Sequence, residues 1–193
     1  MRAQVLVAVA SRHGGTWGIG EVVSATLAEA GHGVDLLAPE DVADVGPYGA
    51  VVLGSAVYLA HWLPAARDLA ERHADALRER PVWLLSSGLA TQPAAAANSP
   101  HELAALRERL GARGHRSFRG RLDRRVLTFA ERAVIAGGRA REGDHRDLAA
   151  VAEWARGIAA TLADEAVHRP ADGGTGTRAD GRALLALGRP GRI

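Results

Sequence analysis

Five times along this chain an apolar run of strand length gives way to a segment with helical spacing. Gln4 to Ala10, Val34 to Leu37, Ala50 to Gly54, Val82 to Ser86 and His115 to Arg119 read as strands. Gln4 to Ala10 is apolar almost without interruption, the pattern of a central parallel strand covered on both faces. Between them, Ile19, Val22, Val23, Leu27 and Ala30 recur at helical spacing, and Gly31 to Gly33 closes that helix. Glu40 to Val45 is expected to form a single helical turn. Leu63 to Arg78 predicts a helix with Ala66, Leu69, Ala70 and Leu77 inward, and His101 to Ala112 predicts another. The last helix spans 147–165, with Leu148, Val151, Trp154, Ile158 and Leu162 on one side. Strands alternating with helices imply an α/β domain around a parallel sheet. A doubly wound sheet of five parallel strands, three layers deep, takes the order 2-1-3-4-5, and its ligands sit at the strands' carboxyl ends near the switch between strands 1 and 3. Here those ends carry three loops, 11–16, 54–62 and 86–92, all rich in small and hydroxyl residues.

Ser11-Arg12-His13-Gly14-Gly15-Thr16 joins the first strand to the first helix. Gly14 and Gly15 allow a turn with φ > 0 and close approach of the backbone to an anion. The first helical turn would point its N–H groups at that anion, and the helix dipole favours negative charge there. Ser11 and Thr16 can add hydroxyl donors. Read alone, the same six residues also fit a plain helix start with Thr16 as N-cap.

Absent residue types narrow the chemistry. All 24 basic residues are Arg and there is no cysteine. A Walker-type P-loop and Schiff-base chemistry both need Lys, and thiolate nucleophiles, disulfides and thiolate metal sites need Cys. The acids and Lys of a phosphoaccepting receiver domain are missing, as are Gly-x-Gly-x-x-Gly at the first helix and a Gly-x-Ser-x-Gly elbow. The eight histidines show no close ligand pairs, so no metal is expected. Net charge is +2; residues 1–165 hold 19 Arg against 20 acids, so the excess lies in the tail and no nucleic-acid partner is implied. No apolar run approaches the roughly 20 residues of a membrane span, and the first strand starts too early for a leader, so a cytoplasmic protein is expected.

A mononucleotide with its phosphate on loop 11–16 and its ring against the other two loops remains. Val5 to Thr16, Gly54 to Tyr58 and Val82 to Gly88 resemble the flavodoxin domain, and are most similar to the branch described as menaquinone-dependent protoporphyrinogen IX dehydrogenase. Phe118 to Asp123 and Glu142 to Asp147 also resemble that branch. The likeness covers about residues 3–165, giving a flavodoxin-like domain over 1–165 and a Gly/Arg-rich tail, expected to be disordered, over 166–193. It implies FMN held non-covalently. Ser11, His13, Gly14, Gly15 and Thr16 would form the phosphate loop; Ser55, Ala56, Val57 and Tyr58 would line one side of the ring, and Ser86, Ser87, Gly88 and Leu89 the other. Catalysis would belong to the flavin, with no side-chain catalyst. The implied activity is an FMN-dependent oxidoreductase passing electrons from a small substrate to flavin and then to a quinone; an electron carrier without its own substrate is the alternative.

Trp17 is expected to pack outward on the first helix, Trp62 to anchor the core, and His61 to be a surface residue. Ser86 and Ser87 have no base at motif spacing and are read as ligands through their backbone, not as nucleophiles. Arg116, Arg119, Arg121, Arg124 and Arg125 crowd the fifth strand and the loop after it. Such a patch suits a carboxylate-bearing substrate or an anionic membrane surface near a lipid-soluble quinone, and equally a solvated face of a chain whose every cation is Arg. Apolar helix surfaces leave room for a homodimer.

Overall fold

The computed structural model describes residues 3–89, 102–129, 132 and 142–168. Its strands are β1 (Gln4–Ala10), β2 (Gly33–Leu37), β3 (Ala50–Tyr58), the two-residue β4 (His61–Trp62), β5 (Val82–Gly88) and β6 (Gly114–Arg119). They form one sheet in the spatial order β2-β1-β3-β5-β6, every neighbour in that order parallel, with β4 folded back antiparallel on β3. Leaving β4 aside, this is the expected 2-1-3-4-5 arrangement.

The helices are α1 (Gly15–Glu29), α2 (Pro64–Arg72), α3 (Ala74–Arg78), α4 (Glu102–Leu110) and α5 (Leu148–His168). Strand alternation deals the apolar residues of β1 to two cores. Val5, Val7 and Val9 meet Ile19, Val23 and Leu27 of α1 and Val151, Ile158 and Leu162 of α5. Leu6, Ala8 and Ala10 belong with Ala66, Leu69 and Ala70 of α2, Leu77 of α3 and Leu103 and Leu110 of α4. A strand with a helix layer on each side has no solvent face, which is why its sequence is continuously apolar. The chain is thus three layers deep.

Several expectations need correction. The segment 54–62 is no loop: β3 runs on to Tyr58 and reverses through Leu59 and Ala60, both left-handed with φ of 49° and 64°, into β4. The turn expected over Glu40 to Val45 is a short 3-10 helix at Pro39–Asp41. The helix expected over Leu63 to Arg78 breaks at His73, whose φ and ψ of −115° and 21° leave the helical region. Leu148 is 39% exposed rather than inward. The last helix continues to His168, so residues 166–168 belong to it; the rest of the expected tail, 169–193, and residues 90–92 of the third loop lie outside the described residues.

A small antiparallel ribbon, β7 (Arg121–Leu122) with β8 (Gly143–Asp144), follows β6. It is docked at the carboxyl end of the sheet, where the Gly120 N–H donates to the Gly88 carbonyl at 2.8 Å and the His145 N–H to the Gly120 carbonyl at 3.2 Å.

Candidate functional site

The register of the sheet builds the site. Ala10, Ser55, Ser86 and Ser117 stand in one row across β1, β3, β5 and β6. The chain beyond that row forms a cleft lined by Ser11, Arg12, His13, Gly15 and Thr16 from the first turn, Ala56, Val57 and Tyr58 from β3, and Ser87, Gly88 and Leu89 from β5. Gly120 and Arg121 close it from the ribbon side. The first turn and the carboxyl ends of β3 and β5 therefore converge, at residues 11–16, 56–58 and 87–89.

The first turn has the properties of an anion cradle. Gly14 sits at the N-cap of α1 with φ 75°, and no side chain caps the helix. Nothing lies within 4 Å of where a Cβ on Gly14 would be, so the residue is needed for its backbone conformation and not for space. No acidic residue occupies the first turn. An uncapped N-terminus leaves its N–H groups for an outside acceptor, and its dipole favours an anion. The Ser11 hydroxyl is buried, with no hydrogen-bond partner among the described residues. A buried hydroxyl without a partner is costly, and a phosphate oxygen would satisfy it. Thr16 is inside α1 and only 4% exposed, so it is not the N-cap. These features fit the phosphate of a mononucleotide.

Two residues expected to line the ring face elsewhere. Ser55 and Ser86 are fully buried on the α2 side of the sheet. The Ser55 hydroxyl accepts the Leu63 N–H at 2.9 Å and donates to the Ala56 carbonyl at 2.8 Å. Ser86 Oγ accepts the Trp62 indole N–H at 2.8 Å and shares a hydrogen bond with His115 Nε2 at 2.9 Å. Both serines therefore fasten the β3–β4 hairpin. Trp62, 1% exposed, is the expected core anchor. His61 is no bare surface group: its Nδ1 pairs with Glu102 at 3.2 Å, while the other Glu102 oxygen accepts the Trp62 N–H at 2.6 Å. Tyr58 does line the cleft, with the Arg12 guanidinium 5.3 Å from its ring centroid. Trp17 is half-buried and outside the cleft lining.

Sequence reading misses Arg12, Gly120 and Arg121 as lining residues, and the ion pair behind them. Asp144 grips Arg146 twice, Nε to Oδ1 at 2.8 Å and Nη2 to Oδ2 at 2.6 Å, and accepts the Arg146 N–H at 3.1 Å. Chiefly through these hydrogen bonds, Arg146 holds the Asp144 carboxyl down to a pKa of about 2. The other arm of the guanidinium donates to the Gly15 carbonyl at 3.2 Å. No group of His, Asp or Glu among the described residues could hold a metal ion.

Comparison with known proteins agrees with this geometry. The family model described as "Flavodoxin domain" matches residues 6–148. No curated protein matches the chain. Among solved structures, a flavodoxin from the domain Archaea superposes with a TM-score of 0.57 at 13% identity, covering 83% of this chain and 99% of its own. A cysteine-to-serine mutant of flavodoxin from Pseudomonas aeruginosa gives 0.53 at 13% identity, with coverage of 83% and 99%. The rubredoxin oxygen:oxidoreductase of Desulfovibrio gigas gives 0.59 at 15% identity; the match covers 84% of this chain but only 37% of that protein. At such identities these likenesses speak for the fold. With the sheet order and a family model spanning most of its length, the chain belongs to the flavodoxin domain family, whose cofactor is FMN.

Proposed function

We propose that the protein is an FMN-dependent oxidoreductase that takes electrons from a small acidic substrate and delivers them to a quinone. This is the reaction type of the protoporphyrinogen IX dehydrogenase branch that the sequence resembles. The observation that carries the proposal is the cradle itself: an uncapped helix start with a left-handed Gly14 and a buried, unpartnered Ser11 hydroxyl. FMN, when bound, accepts two electrons and a proton from the substrate and gives them up to the acceptor. The chain's own part is to bind and orient. Gly15, Thr16 and Ser11 hold the phosphate end; Ala56, Val57, Ser87 and Gly88 give the ring a wall without large side chains.

The described β5 rim, Ser87 to Leu89, carries no aromatic side chain, which leaves a ring face open to a substrate. Arg12 at the cleft, with the exposed Arg116 and Arg119 of β6 and Arg124 and Arg125 just after the ribbon strand β7, favours carboxylate groups on that substrate, through paired N–H donors. No helix among the described residues is long and apolar enough to cross a membrane, so a lipid-soluble quinone would be met at the surface.

The first test is flavin itself. Purified protein should show a flavin absorption spectrum or acquire one on addition of FMN, and Gly14→Asp should abolish that binding. A carboxylate at this position strains the backbone less than most side chains but sets a negative charge in the cradle. Wild-type protein that cannot take up FMN would refute the proposal. Turnover of protoporphyrinogen IX with a menaquinone analogue then separates an enzyme from a carrier, which would hold FMN and turn nothing over.

A further inference from the structure

The ribbon β7–β8 lies against the first turn, held to the end of β5 through Gly120. A Cβ on Gly15 would stand 3.5 Å from both the backbone N and O of Arg121, so the ribbon packs directly on the first residue of α1. Arg121 lines the same cleft as Ser11, Gly15 and Thr16. Its guanidinium meets Asp123, the residue after β7, at 3.5 Å, a long contact with the Arg121 side chain half exposed, and its charge also acts on Asp144. An ion pair of that kind contributes little and yields easily to a stronger anion.

Behind Arg121 stands a tighter device. Arg146 is only 12% exposed, makes three hydrogen bonds to Asp144, and reaches across to the Gly15 carbonyl. Its guanidinium also lies over Gly18, where any side chain would collide with it. Burying a cation against the first turn of a helix opposes the helix dipole. Asp144 offsets that charge within the pair, and a phosphate at the cradle would offset it further.

We infer that this ribbon is the second wall of the phosphate subsite, with Arg121 as a cationic ligand of the FMN phosphate and Asp144–Arg146 as the latch that fixes the ribbon to α1. The inference rests on the FMN reading of the cleft. In a chain without Lys, a permanent cation for the phosphate is an Arg, and among the described residues Arg121 and Arg12 are the arginines lining the cleft, beside His13. Arg12 lies over the Tyr58 ring, on the side where the flavin ring is expected; the backbone and Cβ of Arg121 lie beside Gly15, so its side chain starts at the phosphate cradle. Arg146 is a positioning residue, since it touches the Gly15 carbonyl and not the cleft.

Comparing FMN with riboflavin, which lacks the phosphate, tests this on the full chain by titration of flavin fluorescence. Arg121→Gln should weaken FMN binding by about tenfold, the scale of one charge-assisted hydrogen bond, and leave riboflavin binding as in wild type. Arg146→Gln should lower the FMN-to-riboflavin preference in the same direction; a latch that merely stabilised the fold would weaken both flavins alike. Should that variant not fold, Asp144→Asn removes the anion of the latch at almost unchanged volume and is expected to shift the preference likewise. An unchanged preference in Arg121→Gln, or equal loss of both flavins, overturns the inference. Loss of FMN in Gly14→Asp with full retention in Arg121→Gln overturns the ribbon's role alone and leaves the cradle standing. Wild-type protein with no preference for FMN over riboflavin overturns both.

Discussion

Ser11 and Ser86 carry the same hydroxyl at the carboxyl end of the same sheet, and the fold gives them opposite tasks. Ser86 Oγ is held between the Trp62 indole and His115 Nε2. Replacing it with Ala strips two buried polar groups of their partner, so Ser86→Ala should lower unfolding free energy by about 1–3 kcal/mol in a urea melt, with FMN affinity little changed. Ser11 has no partner to lose among the described residues. Ser11→Ala should therefore leave the urea midpoint as it is, or raise it, while weakening FMN. If the assignment of the cleft is wrong, Ser11→Ala leaves FMN affinity unchanged, while the stability loss in Ser86→Ala remains. Period-two alternation already distinguishes these serines. Ser55 and Ser86 share parity with Leu53 and Leu84, which belong to the core under α2, so neither side chain can face the α1 side of the sheet. Counting parity from the strand cores excludes them from the ring site.

At the scale of elements, the β3–β4 hairpin carries the most local strain. Its tip places Leu59 and Ala60, neither of them Gly, at φ of 49° and 64°, a conformation that Asn-Gly pairs adopt at far lower cost. Below the tip, Trp62, Ser55 and Glu102 pin the hairpin base through the Ser86, Leu63 and His61 contacts. Tertiary packing overrides turn preference there, which is why a sequence without turn residues reads as a loop. Ala60→Gly should relieve one left-handed residue and raise stability by about 1 kcal/mol, read as an upward shift in thermal midpoint. A fall in that midpoint would show that the tip is not strained. The ribbon escapes sequence reading for a different reason. Two strands of two residues each, 121–122 and 143–144, are too short for any periodicity, although their flanking sequences carry the family resemblance.

The whole molecule answers to pH through His115. Burial, and secondarily the charge of Arg107, lowers its pKa from 6.5 to about 4. It faces Ser86 from β5 and Arg107 from α4, with no carboxylate against it among the described residues. An unfolded chain protonates this His near pH 6.5, whereas the folded chain resists until about pH 4. Stability is thus complete above about 6.5 and declines as pH falls toward 4. Asp144 acts in the same direction lower down: its carboxyl, held near 2, keeps the latch intact until the pH drops through the window between 3.8 and 2. Urea midpoints measured from about pH 7.5 to 4.5 should fall for wild type and stay flatter for His115→Gln. Equal slopes would refute the assignment to His115.

The order of strands and helices, the two-sided core and the meeting of the first turn with the carboxyl ends of two further strands are legible in the sequence, because each depends on local periodicity and on the handedness that fixes parallel α/β topology, whereas 54–62 reads as a loop and is strand. Loop 11–16 announces an anion cradle through its glycines. Tertiary structure alone decides which residues share the cleft. Arg121 and Arg146 come from segments more than a hundred residues beyond Gly15 in the chain, and the sheet register and ribbon docking bring them to it. Thr16 is buried inside α1 rather than capping it because Gly14, left-handed at φ 75°, starts the helix before it. Local patterns fix local conformation; the meeting of distant charges around one helix terminus is a property of packing, and no window of sequence contains it.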